Sequence, residues 1–251
     1  MAQRIEDQGG EIRRHAKVTG LAASDGTITG VTVETAEGTH TLEADHVMSS
    51  IPLTSLVKGM DPPPEIAAAV NALSYRNLLT VNLIIDAPEL FPDNWIYVHE
   101  PALQLGRIQN YKNWSPEMVP DATKTSLGLE YFCSNDEAIW SMDDDALIAM
   151  ATAELHQTGL IGSAAVIDGC VVRAPRAYPV YSRGYDAHLA SLVEFVGRYR
   201  NLHPMGRYGM FKYNNSDHSI LTALLSVENI LGAQHRVWDV NTETEYHEIR
   251  S

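Results

Sequence analysis

The sequence predicts a mixed α/β (α+β) fold in two intergrown subdomains, and three observations lead there. Strand-like runs do not simply alternate with helical ones, as they would in a single parallel sheet or a barrel. Four consecutive β-type runs are bracketed by helical segments, as in an antiparallel sheet inserted between helices. At 251 residues, 45% hydrophobic and 20% charged, the chain has the length of one large or two small domains and the composition of an ordinary globule.

Residues 18–21, 27–35 and 39–51 are β-branched or alternating and are punctuated by Asp25-Gly26 and Glu37-Gly38, which predicts a three-stranded meander. The last run continues through small and apolar residues to Ile51, as in a strand covered on both faces, and Pro52 ends it. Proline in the first turn and Ile66, Ala69, Val70 and Leu73 at helical spacing predict a helix over 64–73. Residues 78–86, 95–99, 105–111 and 126–132 are the four inserted strands. Asp143 caps a helix with Asp144 and Asp145 at its positive pole and Leu147, Ile148, Ala151 and Leu155 as its stripe, so the three aspartates read as a cap rather than a calcium site. A strand over 164–181 and a helix from Asp186, carrying Leu189, Leu192, Val193 and Val196, come next. Ser216 or Asp217 caps the last helix, with Ile220, Leu221, Leu224, Leu225, Val227, Ile230 and Leu231. It is apolar nearly all round and is expected to be buried.

Eighteen basic against thirty-two acidic side chains give a formal charge of −14, a field that repels phosphate backbones and anionic head groups, so nucleic acid is not an expected partner. No apolar run approaches the roughly 18 residues that span a bilayer, and the first residues show no signal region. Cys133 and Cys170 cannot build a disulfide framework or a thiol-rich metal site, and a reducing cytoplasm is the expected compartment. The chain has no His-Glu-x-x-His, Cys-x-x-Cys, Gly-x-Ser-x-Gly, phosphate-loop or Gly-x-Gly-x-x-Gly pattern, so metal hydrolysis and triad chemistry find no support and no metal is expected.

The stretch from His203 to Ile220 stands out. Gly206 and Gly209 flank Arg207-Tyr208, an aromatic run follows, and Asn214-Asn215-Ser216-Asp217 opens onto the apolar helix. Such a helix end offers backbone N–H groups to anions or electron-rich oxygens where glycine allows close approach. The same residues also suit a plain helix cap with turn glycines. An arginine between two glycines has little structural reason to be there unless it meets a ligand or a carboxylate. Tyr178, Tyr181, Tyr208 and Tyr213 fit either a cavity lining or a core.

This stretch resembles the C-terminal flavin-binding motif of the superfamily of flavin-containing amine oxidases, protoporphyrinogen oxidases and UDP-galactopyranose mutases. The resemblance implies FAD as cofactor, with Gly206 and Arg207 bordering the isoalloxazine and Gly209 counted with them. It sets Asn215, Ser216 and Asp217 at the ribityl chain and pyrimidine edge, and Ile220 beneath. Gln8-Gly9-Gly10 leading to Val18 resembles the element before the adenine-contacting strand, which implies that the Val18 backbone faces the adenine. The segments 107–116 and 176–181 resemble substrate-domain segments of the mutase branch, which makes Arg107, Arg176, Tyr178 and Tyr181 the implied substrate-binding residues, and Tyr213, a candidate cavity tyrosine, is counted with them. Residues 1–58 and 200–251 would then form a partial FAD-binding, Rossmann-like domain and 59–199 a substrate-binding domain.

The departures also matter. The glycine-rich βαβ unit that holds the FAD pyrophosphate is missing, which implies the C-terminal part of a longer flavoprotein whose nucleotide-binding unit is supplied in cis or in trans. The mutase pattern Tyr-x-Asp-Met-Asp is here Tyr213-Asn214-Asn215-Ser216-Asp217, and Pro-Val-Asn is Pro179-Val180-Tyr181. Three functions stay open: flavin-mediated hydride or electron transfer on a small molecule, a mutase-like reaction on a nucleotide sugar, or a non-catalytic fragment or scaffold. No side chain is assigned as a catalytic acid or base.

Overall fold

Turn chemistry organises the first part of the chain. In the computed structural model, which describes residues 1–242, α1 (Ala2–Asp7) precedes β1 (Lys17–Ser24), β2 (Thr27–Thr35) and β3 (Gly38–Glu43). The strands pair as an antiparallel meander, and Asp25 and Gly26 both take positive φ, as a tight hairpin turn between twisted strands requires. The strand expected over 39–51 is not continuous. It breaks after Glu43, and β4 (Val47–Ser49) leaves the meander to pair in parallel with a strand from near the other end of the chain. The carboxamide of Asn201 fastens this crossing: Oδ1 accepts from Ile28 N at 2.8 Å, and Nδ2 donates to the carbonyls of Ile28 at 2.8 Å and Asp45 at 2.9 Å. Those backbone groups would otherwise be left without partners. α2 (Leu53–Lys58), too short for periodicity to reveal, and α3 (Pro64–Ala72), with proline in its first turn as expected, complete this part.

Tyr75–Val180 forms one compact unit, and Met1–Ser74 with residues 181–242 forms the other. In the Tyr75–Val180 unit, β5 (Tyr75–Ile85), β6 (Trp95–Tyr97), β7 (Arg107–Asn110), α4 (Tyr111–Trp114), β8 (Thr125–Cys133), α5 (Ala138–Ser141), α6 (Asp144–Gln157) and β9 (Val166–Pro179) follow one another. The strands make a five-stranded antiparallel sheet in the order β6-β7-β8-β5-β9: the four expected inserted strands form it, and the later strand expected over 164–181 joins them as β9 beside β5. Alternation sends Leu79, Val81, Leu83 and Ile85 of β5 and Leu127, Leu129, Tyr131 and Cys133 of β8 into one core with Leu147, Ala151 and Leu155 of α6. Each fully buried leucine contributes about 1.5–3 kcal/mol.

The Asp143 cap forms as expected, its carboxylate accepting from Ala146 N at 2.9 Å. Glu154, also buried, accepts from the Tyr131 hydroxyl at 3.0 Å and from Gln104 N at 2.8 Å. Burial, reinforced by the Glu154 charge, pushes the Tyr131 phenol far up. On edge strand β9, Pro175 is tolerated beside a register shift, and Arg176 takes φ 57° with its N–H turned to Asn77 Oδ1 at 2.8 Å.

Back in the first unit, α7 (Tyr185–Gly197) packs on α3. β10 (Leu202–Pro204) pairs in parallel with β4 as a two-stranded sheet, and α8 (Gly206–Gly209) and α9 (Ser216–Ile230) follow. The part of 200–251 beyond residue 242 lies outside the described residues.

Two expectations about α9 are corrected. Its N-cap is Asn215, one residue ahead of those expected, and its apolar side is not buried: Ile220 is 61%, Leu224 57% and Leu231, just after the helix, 81% exposed. Thr222 and Ser226 face inward instead. The Thr222 hydroxyl accepts from Gly206 N at 2.9 Å and donates to Ser219 O at 2.8 Å, while Ser226 donates to Thr222 O at 2.8 Å. These small hydroxyls let α9 lie close to α8 at no cost in unpaired polar groups. A helix apolar on nearly every side gives its periodicity no way to mark which side packs. Among the described residues, no helix is long and apolar enough to cross a membrane.

His203 on β10 lies with Nε2 3.2 Å from His46 Nδ1, and burial, then His46, hold its pKa below the ordinary 6.5. The unfolded chain therefore takes up a proton that the folded one resists. This contribution to stability is complete above pH 6.5 and is lost as pH falls through the lower folded value. We expect urea-unfolding midpoints to decline as pH drops below 6.5, and His203→Gln to flatten that decline.

Candidate functional site

The 206–217 segment is built around one buried carboxamide. Gly206 takes φ 76°, a conformation glycine adopts without strain, and a Cβ there would meet nothing closer than Ser219 Cβ at 4.0 Å. Its carbonyl accepts from Asn214 Nδ2 at 3.2 Å, so Asn214 and Thr222 hold this residue from both ends. Arg207 Nη1 donates to Asn214 O at 3.3 Å, and its guanidinium lies 5.0 Å from the centre of the Tyr213 ring. Tyr213 stands edge-on to Tyr181 at 5.0 Å, and Tyr181 stacks on Tyr185 at 4.4 Å. The Tyr181 hydroxyl accepts from Tyr213 N at 3.1 Å, and burial raises its pKa, which keeps it protonated near neutrality.

At the opening of α9, Asn215 and His218 form a capping box. The Asn215 side chain accepts from His218 N, and His218 Nδ1 accepts from Asn215 N at 3.3 Å. Two of the four unpaired amides of the first turn are thereby used. Those of Ser216 and Asp217 have no partner among the described residues.

Gly206, Arg207, Asn215, Ser216 and Asp217 thus come together, with Tyr181 and Tyr213 beside them. Gly209 packs toward β4, where a Cβ would lie 2.5 Å from Ser49 O. Ile220 sits on the exposed side of α9, and Val18 lies in the meander opposite Val33 with its side chain exposed. Arg107, Arg176 and Tyr178 belong to the Tyr75–Val180 unit.

In that unit, the sheet face turned away from α6 carries a charged network. Glu130, 2% exposed on β8, receives Arg107 Nε at 2.6 Å and, on its other oxygen, Gln109 Nε2. The Arg107 guanidinium lies 5.5 Å from the Trp95 ring, 5.6 Å from Tyr97 and 5.8 Å from Phe132, with the Tyr97 and Tyr178 hydroxyls each 3.4 Å away. Burial opposes the arginine's charge, but hydrogen bonds with Tyr97 and Glu130 and the Glu130 charge outweigh it and hold the group above its ordinary pKa. The expected substrate cation is therefore neutralised by a buried carboxylate. Beside it, the absence of a side chain on Gly128 leaves space that the Tyr111 hydroxyl fills while donating to Asn82 Oδ1 at 2.7 Å. Arg176 is exposed on the β9 bulge. Trp95, Tyr97 and Trp114 leave aromatic surface open. Among the described residues, no group of three or more His, Cys, Asp or Glu is placed to hold a metal.

Sequence reasoning missed Glu130, Asn214 and Thr222 as organising residues. Glu130 and Thr222 each left a trace, a polar side chain inside an otherwise apolar strand or helix; Asn214, one of four consecutive polar residues, left none.

The two-unit mixed α/β architecture is shared with solved oxidoreductases and with a mutase. A structure of reduced UDP-galactopyranose mutase matches at a TM-score of 0.79 and 18% identity over 94% of this chain and 51% of the other. A protein assigned as a protoporphyrinogen oxidase from Exiguobacterium sp. 255-15 matches at 0.68 and 18% identity over 91% and 50%. An oxidoreductase from Methanosarcina mazei matches at 0.56 and 13% identity over 89% and 52%. The chain spans about half the length of each of these structures. No curated protein sequence matches it. The family model described as flavin containing amine oxidoreductase matches residues 1–174, and the chain belongs to that family.

Removing one partner of a buried ion pair strands the other's charge, so Glu130→Gln should lower unfolding free energy by about 3 kcal/mol. The paired replacement Arg107→Met with Glu130→Leu should cost far less. Urea denaturation of these two variants beside the unaltered chain checks both.

Proposed function

We propose that this chain is the C-terminal part of an FAD-dependent oxidoreductase that transfers hydride or electrons to or from a small molecule. The observation that carries this reading is the opening of α9. Two amides without a partner among the described residues and a guanidinium poised over a tyrosine, beside a glycine at positive φ that lets a ligand approach closely, form a donor set suited to the electron-rich edge of an isoalloxazine. In this reading Gly206, Arg207, Asn215, Ser216 and Asp217 hold that edge, with Gly209 and Ile220 shaping the element, while Val18 meets the adenine only once a nucleotide-binding unit holds the pyrophosphate. When bound, the flavin supplies the redox chemistry. The α9 dipole and Arg207 favour negative charge at that edge, where reduction places it. Asn214 keeps Gly206 and Arg207 in register, and Tyr181, protonated near neutrality, offers a hydrogen bond rather than a base.

Nothing in the sequence suits the pyrophosphate of FAD, because no Gly-x-Gly-x-x-Gly is present. A nucleotide-binding βαβ unit, in cis or in trans, would complete the site. Among the described residues, the apolar stripe of α9 is uncovered and the edges of the two-stranded β4–β10 sheet are unpaired, which supports that reading. A mutase acting on a nucleotide sugar needs cations for a diphosphate. Arg107, committed to Glu130, has no net charge to lend, which favours the oxidoreductase. Two free thiols suit a reducing cytoplasm.

A site for the ring edge without the pyrophosphate anchor makes a definite demand on ligand choice: riboflavin should bind this chain about as tightly as FAD, and ADP should not compete. Flavin fluorescence quenching reads both, and Arg207→Ala should weaken quenching about tenfold with the fold retained. A chain that quenches neither flavin leaves the scaffold reading standing.

A further inference from the structure

Beyond α9 the chain folds back as a strap, 233–241, and three side chains fasten it. The Asn229 carboxamide brackets His235, with Nδ2 donating to His235 O at 2.9 Å and Oδ1 accepting from His235 N at 2.6 Å. The Lys212 ammonium donates to the carbonyl of Trp238, inside a 3-10 turn over Val237–Asp239, and at 3.0 Å to that of Val240 just after it. Asn241 then takes φ 55°, in the left-handed region that asparagine tolerates better than most residues. Its Nδ2 donates to Tyr213 O at 3.2 Å and to Asn214 Oδ1 at 3.1 Å, so the strap ends on the segment that opens α9.

Asn214 is 2% exposed, so solvent does not substitute for either of its partners. Its Nδ2 is directed at Gly206 O at 3.2 Å and at Met210 Sδ at 3.9 Å, and its Oδ1 takes the proton of Asn241. Turned end for end, the amide would set oxygen against oxygen at Gly206 and nitrogen against nitrogen at Asn241. The two contacts therefore select one orientation, and each reinforces the other. The backbone carbonyl of the same residue receives Arg207 Nη1 at 3.3 Å, so a shift of Asn214 is felt at the guanidinium as well.

We propose that Asn241 is a positioning residue of the flavin-edge site: by donating to Asn214 Oδ1 it fixes which way the buried carboxamide faces, and so holds the Gly206 carbonyl and the Arg207 guanidinium in register. The flavin edge as ligand rests on the function proposed above; the relay from Asn241 to Gly206 stands without it. Aspartate in place of Asn241 keeps the shape and accepts the left-handed backbone. It is ionised near neutrality, offers no donor and sets a carboxylate against Asn214 Oδ1. Lys212 keeps residue 241 in place through Val240 O, so relief comes from the Asn214 amide, which turns or withdraws and leaves the Gly206 carbonyl without its side-chain donor.

The test follows the backbone amide nitrogen NMR signal of Arg207 in the full chain, because that nitrogen is bonded to the Gly206 carbonyl carbon and responds to hydrogen bonding there. Asn214→Ala, which removes the carboxamide, and Asn241→Asp are expected to move the signal in the same direction, and Asn241→Asp added to Asn214→Ala is expected to move it no further. A strap that only adds stability would act alike in both backgrounds. Asn241→Gly, which keeps the left-handed backbone and removes the donor without adding charge, is expected to give a smaller shift of the same sign and serves if the aspartate variant does not fold. Riboflavin quenching is expected to weaken about three- to tenfold in Asn241→Asp. An unmoved Arg207 signal in the folded Asn241 variants, or the same displacement with and without the Asn214 side chain, overturns the proposal, as does unchanged riboflavin affinity in a chain that binds it. A native chain that binds no riboflavin sinks the flavin reading alone, and the Arg207 signal then decides the relay by itself.

Discussion

Buried backbone that departs from helix or sheet must still find hydrogen-bond partners, and in this chain asparagine side chains provide them at successive junctions. Asn201 fastens the crossing between the meander and the parallel pair by bonding both polar groups of Ile28 and the carbonyl of Asp45. Asn77 takes the N–H turned out by the β9 bulge. Asn214 holds the Gly206 carbonyl and receives Asn241 on its own oxygen, so the segment opening α9 is tied both to the start of α8 before it and to the chain after it. A carboxamide offers donors and an acceptor in one plane, which no other uncharged side chain of that length but its homologue can match.

The legible parts of the fold were those decided locally. Asp25-Gly26 announces a hairpin, Pro64 a helix start and Asp143 a cap, because each requirement is met by residues a few positions away. The illegible parts depended on distant partners. The break between β3 and β4 follows from Asn201, far along the chain, and the inward side of α9 follows from where Gly206 presents its N–H. The 203–220 stretch was recognisable as a strand, a glycine-arginine turn and a helix. That Asn214 is its organising residue was not, because an asparagine in a polar tetrad looks like any loop residue.

The sheet of the Tyr75–Val180 unit shows how one strand serves two environments. Along β8, Leu127, Leu129 and Tyr131 face α6 while Gly128 and Glu130 face the other way, yet all of them are buried. On the α6 side burial comes from close packing. On the other it comes from aromatic rings gathered over a guanidinium whose charge Glu130 cancels. A strand buried on both faces by different chemistries explains why its sequence reads as nearly continuous apolar residues with a single acid.

Helix α9 carries hydroxyls inward and leucines outward, the reverse of the usual surface helix. For the isolated chain this has a practical meaning. Chromatography resins with alkyl ligands and mild detergents will retain it through Ile220, Leu224 and Leu231 in spite of its acidity, and colloidal behaviour will be governed by that stripe rather than by the net charge.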